Sequence, residues 1–183
     1  MIKLKDLLLE ISSEISSPNL LIPRRVEGRM EKYIQAIIKQ YIKDKNVGDF
    51  NISELGLTTL PSSLKNLKIG GNFYCSYNKL TSLVGAPTSV DLDFYCFNNK
   101  LTSLVGAPTS VGRSFYCYNN LLKSLVGAPT SVDLDFLCSD NKLTSLVGAP
   151  TSVGGSFNCS NNVVKFTEEQ VRAVCDVKGK INV

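Results

Sequence analysis

The sequence predicts an α/β-type repeat solenoid, in which a parallel sheet of about six strands winds in right-handed coils between helical ends. The string LVGAPTSV occurs four times without change, and its copies begin 21 residues apart. Phe, Cys, Asn and Leu recur in one register between the copies, and self-similarity at a fixed period is the signature of stacked repeats. The copies lie at 83–90, 104–111, 125–132 and 146–153.

Residues 1–46 are predicted to form two amphipathic helices ahead of the repeats. The first carries apolar residues at helical spacing from Leu4 to Ile15, and the second carries a longer apolar stripe from Val26 to Ile42. The segment SSPNLLIP, with two prolines, separates them as a linker. We expect the pair to cap the exposed core of the first coil, because solenoid ends need a polar cover. A helical docking or oligomerisation module is the alternative.

Six coils are predicted over residues 47–166. The first is degenerate, as terminal repeats often are, with Phe50 at the Phe position, Ile52 at the Cys position and Leu55 at the Asn position. Because side chains alternate faces along a strand, the Phe and Cys columns should point into the core and the residues between them outward. The strands are predicted near 49–53, 72–76, 93–97, 114–118, 135–139 and 156–160.

Two polar columns repeat with the coils, and we interpret both as structural. An Asn amide where the strand turns away can bond backbone groups of its own and adjacent coils. The cysteines lack the C-x-x-C spacing of zinc sites, and disulfides between adjacent parallel strands would be strained. We expect these cysteines to be reduced and buried. The columns are Asn78, Asn99, Asn120, Asn141, Asn162 and Cys75, Cys96, Cys117, Cys138, Cys159.

Each coil reads F-x-C-x-x-N-x-L-x-x-L, as in FYCFNNKLTSL at 94–104. This resembles the leucine-rich-repeat pattern L-x-L-x-x-N-x-L-x-x-L over about 48–166. The segment LTTLPSSLKNLKI at 57–69 is similar to the short bacterial type. Phe and Cys replace the family's strand aliphatics, and VGAPTSV replaces its Leu-Pro-rich return. The resemblance, to leucine-rich-repeat proteins of bacteria and their phages, implies the solenoid fold and an interaction role.

Residues 167–183 are predicted to close the solenoid. Thr167 and Gln170 match a capping box, and Val171 and Val174 give a short apolar face. We expect a capping helix followed by an extended tail, which is too short for a catalytic domain.

The composition excludes several kinds of catalytic and metal-binding site. The 183 residues contain 20 Lys+Arg against 16 Asp+Glu and no His. The missing His excludes Ser-His-Asp and Cys-His catalysis and imidazole zinc sites within this chain. Asp6 and Glu10 interrupt the first apolar run, and no apolar stretch is long enough to span a membrane. We therefore expect a soluble, cytoplasmic protein with no cofactor, no metal site and no membrane association.

The outward side of the sheet is the candidate functional surface, because inward positions are nearly identical from coil to coil. Its aromatic residues concentrate in coils two to four, and exposed aromatics on a rigid sheet are common interface anchors. Neighbouring aspartates make one edge acidic and favour a partner with a basic rim. Stacking that only stabilises the sheet is the alternative. The predicted partner-binding residues are Tyr74, Tyr95, Phe97, Tyr116, Tyr118, Asp93 and Asp135.

These features predict a non-enzymatic protein–protein interaction module, with a monomer as the expected state. The alternative is a structural or self-assembling component that uses the helical end or the solenoid edges. The second helix carries a basic stripe that includes Arg25, Arg29, Lys32 and Lys39. Nucleic acid is nevertheless disfavoured, because acidic residues lie beside the tyrosines. The sequence shows neither a convergent pair of carboxylates nor a Gly-rich phosphate loop, so we do not expect an enzyme.

Overall fold

The computed structural model of the chain describes residues 24–183, and side-chain environments from Met30 onward. The predicted first helix and the prolines that follow it lie outside the described residues. The chain divides into two compact units, Met1–Lys45 and Asn46–Val183.

In the first unit, helix α1 spans Arg24–Lys43. It is amphipathic, as predicted, with Lys32 and Lys39 exposed. The predicted apolar stripe extends too far, because Ile42 at its end is 52% exposed. The role of this helix as a cap stays a prediction. Within α1 from Met30 onward, the buried residues are Met30, Tyr33, Ile34, Ile38 and Tyr41.

The second unit is a parallel β-solenoid of about six turns, built from two sheets rather than the one predicted. The strands that begin with the repeated Phe form most of the first sheet. The Ser-Val dipeptides of LVGAPTSV hydrogen-bond from coil to coil and form most of the second. The first contains β1 (Phe50–Asn51), β3 (Phe73–Tyr74), β5 (Phe94–Tyr95), β7 (Phe115–Tyr116), β9 (Phe136–Leu137), β11 (Phe157–Asn158) and β13 (Ile181–Asn182). The second contains β2 (Lys68–Ile69), β4 (Ser89–Val90), β6 (Ser110–Val111), β8 (Ser131–Val132), β10 (Ser152–Val153) and β12 (Asp176–Val177). We number the coils one to six by β1, β3, β5, β7, β9 and β11.

Pairing is in register, so equivalent residues of successive coils stack. Phe73 lies opposite Phe94, and Tyr74 opposite Tyr95. The inward Phe rings are fully buried, with centroids between 5.1 and 5.8 Å apart along the column. The five repeat cysteines are also buried. The inward assignment of both columns is therefore confirmed, and the core is a continuous stack between the two sheets.

The turns explain why the glycines of the repeat are needed. Gly127 has φ +92°, a left-handed conformation that disfavours L side chains. A Cβ there would also lie 2.5 Å from the Leu104 carbonyl carbon of the preceding coil. Both observations explain why a residue with a side chain would not fit here without moving the coils apart.

The C-terminus closes both sheets. Helix α2 spans Glu168–Arg172, and its predicted capping box between Thr167 and Gln170 is present. The predicted tail is not simply extended: β12 pairs with β10, and β13 pairs with β11. Apart from α2, the helical structure described in this unit is a 3-10 turn at Ser62–Leu64.

Candidate functional site

A column of stacked tyrosines lies on the outward face of the first sheet. Tyr74, Tyr95 and Tyr116 each follow the buried Phe of their strand, so the pleat turns them outward. Successive ring centroids are 4.7 Å apart, with ring planes within 2° of parallel. All three side chains are half-buried. In-register pairing thus converts a sequence repeat into a ring stack.

A second aromatic column lies beside the first. The Phe97 and Tyr118 rings stack with centroids 4.5 Å apart. Phe97 meets Tyr95 edge-on at 6.3 Å and Tyr77 edge-on at 5.3 Å. The structure therefore brings the five predicted aromatic residues into one cluster, which we call the aromatic face, and adds Tyr77 to its margin.

The stacking decides which parts of the rings are available. Because neighbouring rings cover each other's faces, the columns present ring edges and hydroxyl groups outward. Proteins that bind single-stranded nucleic acid stack bases on open ring faces. Burial, with a smaller contribution from Asp93, raises the pKa of Tyr95, and burial also raises the pKa of Tyr118. These two hydroxyls are thus neutral hydrogen-bonding groups, suited to protein contacts.

The two predicted aspartates link neighbouring coils. Asp93 is only 6% exposed, and its Oδ1 accepts the Ser114 backbone N–H at 2.9 Å. Its Oδ2 accepts the Tyr95 hydroxyl at 3.2 Å and lies 3.8 Å from the Arg113 guanidinium. Asp135 Oδ1 accepts the Ser156 N–H at 2.7 Å in the same way. Both carboxylates therefore satisfy strand-start amides of the next coil, and Asp93 also orients the central tyrosine.

The same position in other coils repeats this bond, which shows a structural cause common to the column. Asn72 Oδ1 accepts the Asp93 N–H at 3.0 Å. Asp49 Oδ1 accepts the Asn72 N–H at 2.8 Å, and Ser114 Oγ accepts the Asp135 N–H at 3.2 Å. Asp, Asn and Ser all serve because each offers an acceptor oxygen on a short side chain.

The Asn column bonds the backbone as predicted. Asn120 Nδ2 donates to the carbonyls of Cys117 and Cys96, both at 3.1 Å. Its Oδ1 accepts the Leu101 N–H of the preceding coil at 3.0 Å. The cysteines between these columns are free and buried, and burial raises the pKa of the Cys117 thiol. A buried, protonated thiol is a poor nucleophile and a poor metal ligand.

Sequence reasoning missed a row of lysines on the opposite edge of the sheet, where the chain leaves it. Each coil from the second to the sixth contributes one exposed lysine there. The sequence did contain a signal for this row. Within residues 70–166 every lysine follows the outward strand of its coil, whereas the exposed Asp91 and Asp133 precede it. We call this row the basic rim: Lys79, Lys100, Lys123, Lys142 and Lys165.

Other site types find no counterpart in the part of the chain that the structure describes. There, no three Cys, Asp or Glu side chains gather into a metal-binding group. None of the helices among residues 24–183 has the length and apolarity needed to cross a membrane. A scan against protein-family models found no match, and a search of curated proteins found no similar sequence.

Proposed function

We propose that this chain is a non-enzymatic protein-binding module and that its partner contacts the aromatic face. The contact centres on Tyr95, Phe97, Tyr116 and Tyr118, with Tyr74 at one end. Asp93 and Asp135 hold the coils in register beneath the contact and give its edge a negative potential. Rigid aromatic side chains lose little entropy on binding and supply most of the energy in typical interfaces.

One observation carries the proposal: the fold does not need aromatics at these positions. Coil six has Asn158 where coil three has Tyr95, and Ser160 where coil three has Phe97. Its strand β11 nevertheless pairs with β9 in the same register, and its Phe157 is just as buried. Partly exposed rings that the scaffold does not require are best explained by a contact that covers them.

Tyr77 adds a second, independent observation. Its φ is 55°, and the equivalent residues in this conformation are Asn or Asp in coils three to six and Glu54 in the degenerate coil one. Asn and Asp tolerate the left-handed region, whereas Tyr is strained there. Tyr77 is also 55% exposed. An exposed aromatic at a strained position extends the aromatic face at some cost in stability, which is the pattern of a functional site.

We further infer that the solenoid is of the leucine-rich-repeat type, encoded by a bacterium or a phage, with an interaction role in the cytoplasm. The support is the Asn column, which bonds the backbone as that repeat pattern requires, and the set of reduced cysteines, which suits a reducing compartment.

The test exchanges aromatic residues for those of coil six. Tyr95→Asn, Phe97→Ser, Tyr116→Asn and Tyr118→Ser are combined in one variant, and its thermal unfolding is compared with that of the parent chain. Affinity capture from a lysate of bacteria that also express the untagged parent chain should recover a partner with the parent chain as bait and none with this variant.

A matched control changes exposed apolar residues away from the sheet, Val105→Asn with Val126→Asn, and should capture normally. Undiminished capture by the aromatic variant, with loss when Arg29, Lys32 and Lys39 become Ala, would identify α1 as the working surface instead.

A further inference from the structure

The first sheet is polarised across its width. Asp91 and Asp133, both exposed, lie where the chain enters the sheet, while the basic rim lies where the chain leaves it. Between the rims lies the aromatic face. Arg113 and Asp140 are the exceptions to this separation within 70–166.

From coil three to coil six the two rims vary together, whereas coil two has Lys79 on the basic rim and Gly70 at the position of Asp91. Coil three pairs Asp91 with Lys100. Coil four has Gly112 and Arg113 on the acidic side, and its residue at the equivalent rim position is Leu121. Coils five and six repeat the alternation: Asp133 with Lys142, then Gly154 with Val163. In these four coils an aspartate on one rim thus accompanies a lysine directly after the Asn column, while Lys123 and Lys165 lie two residues further along.

These charges have no counter-ion within the described chain. Across residues 24–183, the side chains of Asp91, Lys100, Asp133 and Lys142 form no ion pair. Each Asp and the Lys of its own coil lie on opposite edges of the sheet, so they cannot pair with each other. A partner that brings opposite rims together would pair these charges.

We infer that the partner of the aromatic face is a second copy of this chain, bound face to face about a two-fold axis parallel to the solenoid axis. That rotation exchanges the rims while keeping each coil opposite its equivalent. Asp91 of one copy then faces Lys100 of the other, and Asp133 faces Lys142. Arg113 faces Leu121 and meets no lysine at that position. This inference rests on the proposed function, since it assigns the occupant of the same surface.

The geometry favours a second copy over an unrelated protein. A copy supplies the same coil spacing, so both ion pairs and the tyrosine columns meet without a mismatch in period. A two-fold axis along the strands would place acid on acid, so the charges also select the orientation.

The test mixes complementary charge variants. The first carries Lys100→Asp with Lys142→Asp, and the second carries Asp91→Lys with Asp133→Lys. In sedimentation equilibrium the parent chain should dimerise, and each variant alone should dimerise at least about tenfold more weakly, because four symmetry-related pairs become repulsive. An equimolar mixture should regain the parent affinity as a heterodimer.

Lys65→Asp with Lys68→Asp makes the same charge change away from the aromatic face and should leave dimerisation unchanged. A parent chain that is monomeric to about 100 µM would overturn this inference, while the lysate capture above would still test binding of another protein by the aromatic face. A dimer indifferent to the charge variants and to Tyr95→Asn would also overturn it and would place self-association elsewhere.

Discussion

Replacing Asn120 with Leu should strongly destabilise the solenoid, although the two side chains are of similar size. Asn120 is 5% exposed and links coils three and four. The change removes the acceptor of the Leu101 N–H and a donor to the carbonyls of Cys96 and Cys117. A buried polar group left without a partner costs about 1–3 kcal/mol. The Leu101 N–H is the group left without a partner, because Asn99 Nδ2 still donates to Cys96 C=O and Asn141 Nδ2 to Cys117 C=O. The expected loss is therefore about 1–3 kcal/mol.

Urea unfolding of the full chain, followed by far-UV circular dichroism, measures this loss. Asn98→Asp is the matched control, because an Asp oxygen can still accept the hydrogen bond that Asn98 accepts from Asn119, and coil five carries Asp140 at this position. The control should change the free energy of unfolding by less than about 0.5 kcal/mol. A loss below about 1 kcal/mol for Asn120→Leu would refute the view that this amide couples the coils.

Three further predictions concern the coil contacts and the titrating groups. Gly127→Ala should destabilise the chain far more than Gly48→Ala. Both glycines have positive φ, but an added Cβ meets nothing within 4 Å at Gly48. Equal losses in thermal unfolding would contradict the role of coil stacking. Thiol reagents should label Cys117 slowly in the native chain and fully in denaturant, whereas fast native labelling would contradict its burial. Burial raises the pKa of Tyr95, so the unfolded chain loses this proton first and stability should fall as pH rises above about 10. Tyr95→Phe should reduce that fall, and an unchanged pH profile would contradict the burial of its hydroxyl.

The period and the inward columns could be read from the sequence because stacking in register makes each core position a repeated letter. Phe94, Cys96 and Asn99 recur with little change, and the structure places them as expected. The second sheet escaped prediction because Ser89–Val90 is too short to show alternation and lies inside a string that reads as a turn. The last strand escaped because Ile181 stands where earlier coils have Phe.

The residues of the aromatic face could be predicted from the sequence, but the hydrogen bonds beside them could not. Alternation along the strand shows that Tyr95 points outward, and the column shows that Tyr116 lies next to it. The orientation of Asp93 could not be read in this way, since an outward acid and an amide-bonding acid look alike in sequence. Only the coil pairing shows that the Ser114 N–H needs its oxygen. The basic rim was obscured because Leu121 interrupts the lysine column.

Site-specific photo-crosslinking from the aromatic face tests the proposed function most directly. A benzophenone amino acid replaces Tyr95 in the full chain, and the same group at Val105, an exposed turn position, is the control. After irradiation in bacterial cells, the Tyr95 position should give a discrete cross-linked protein species, identified by mass spectrometry, and Val105 should give none. No cross-link from Tyr95, together with a discrete product from Lys39 on α1, would contradict the assignment of the aromatic face as the binding surface.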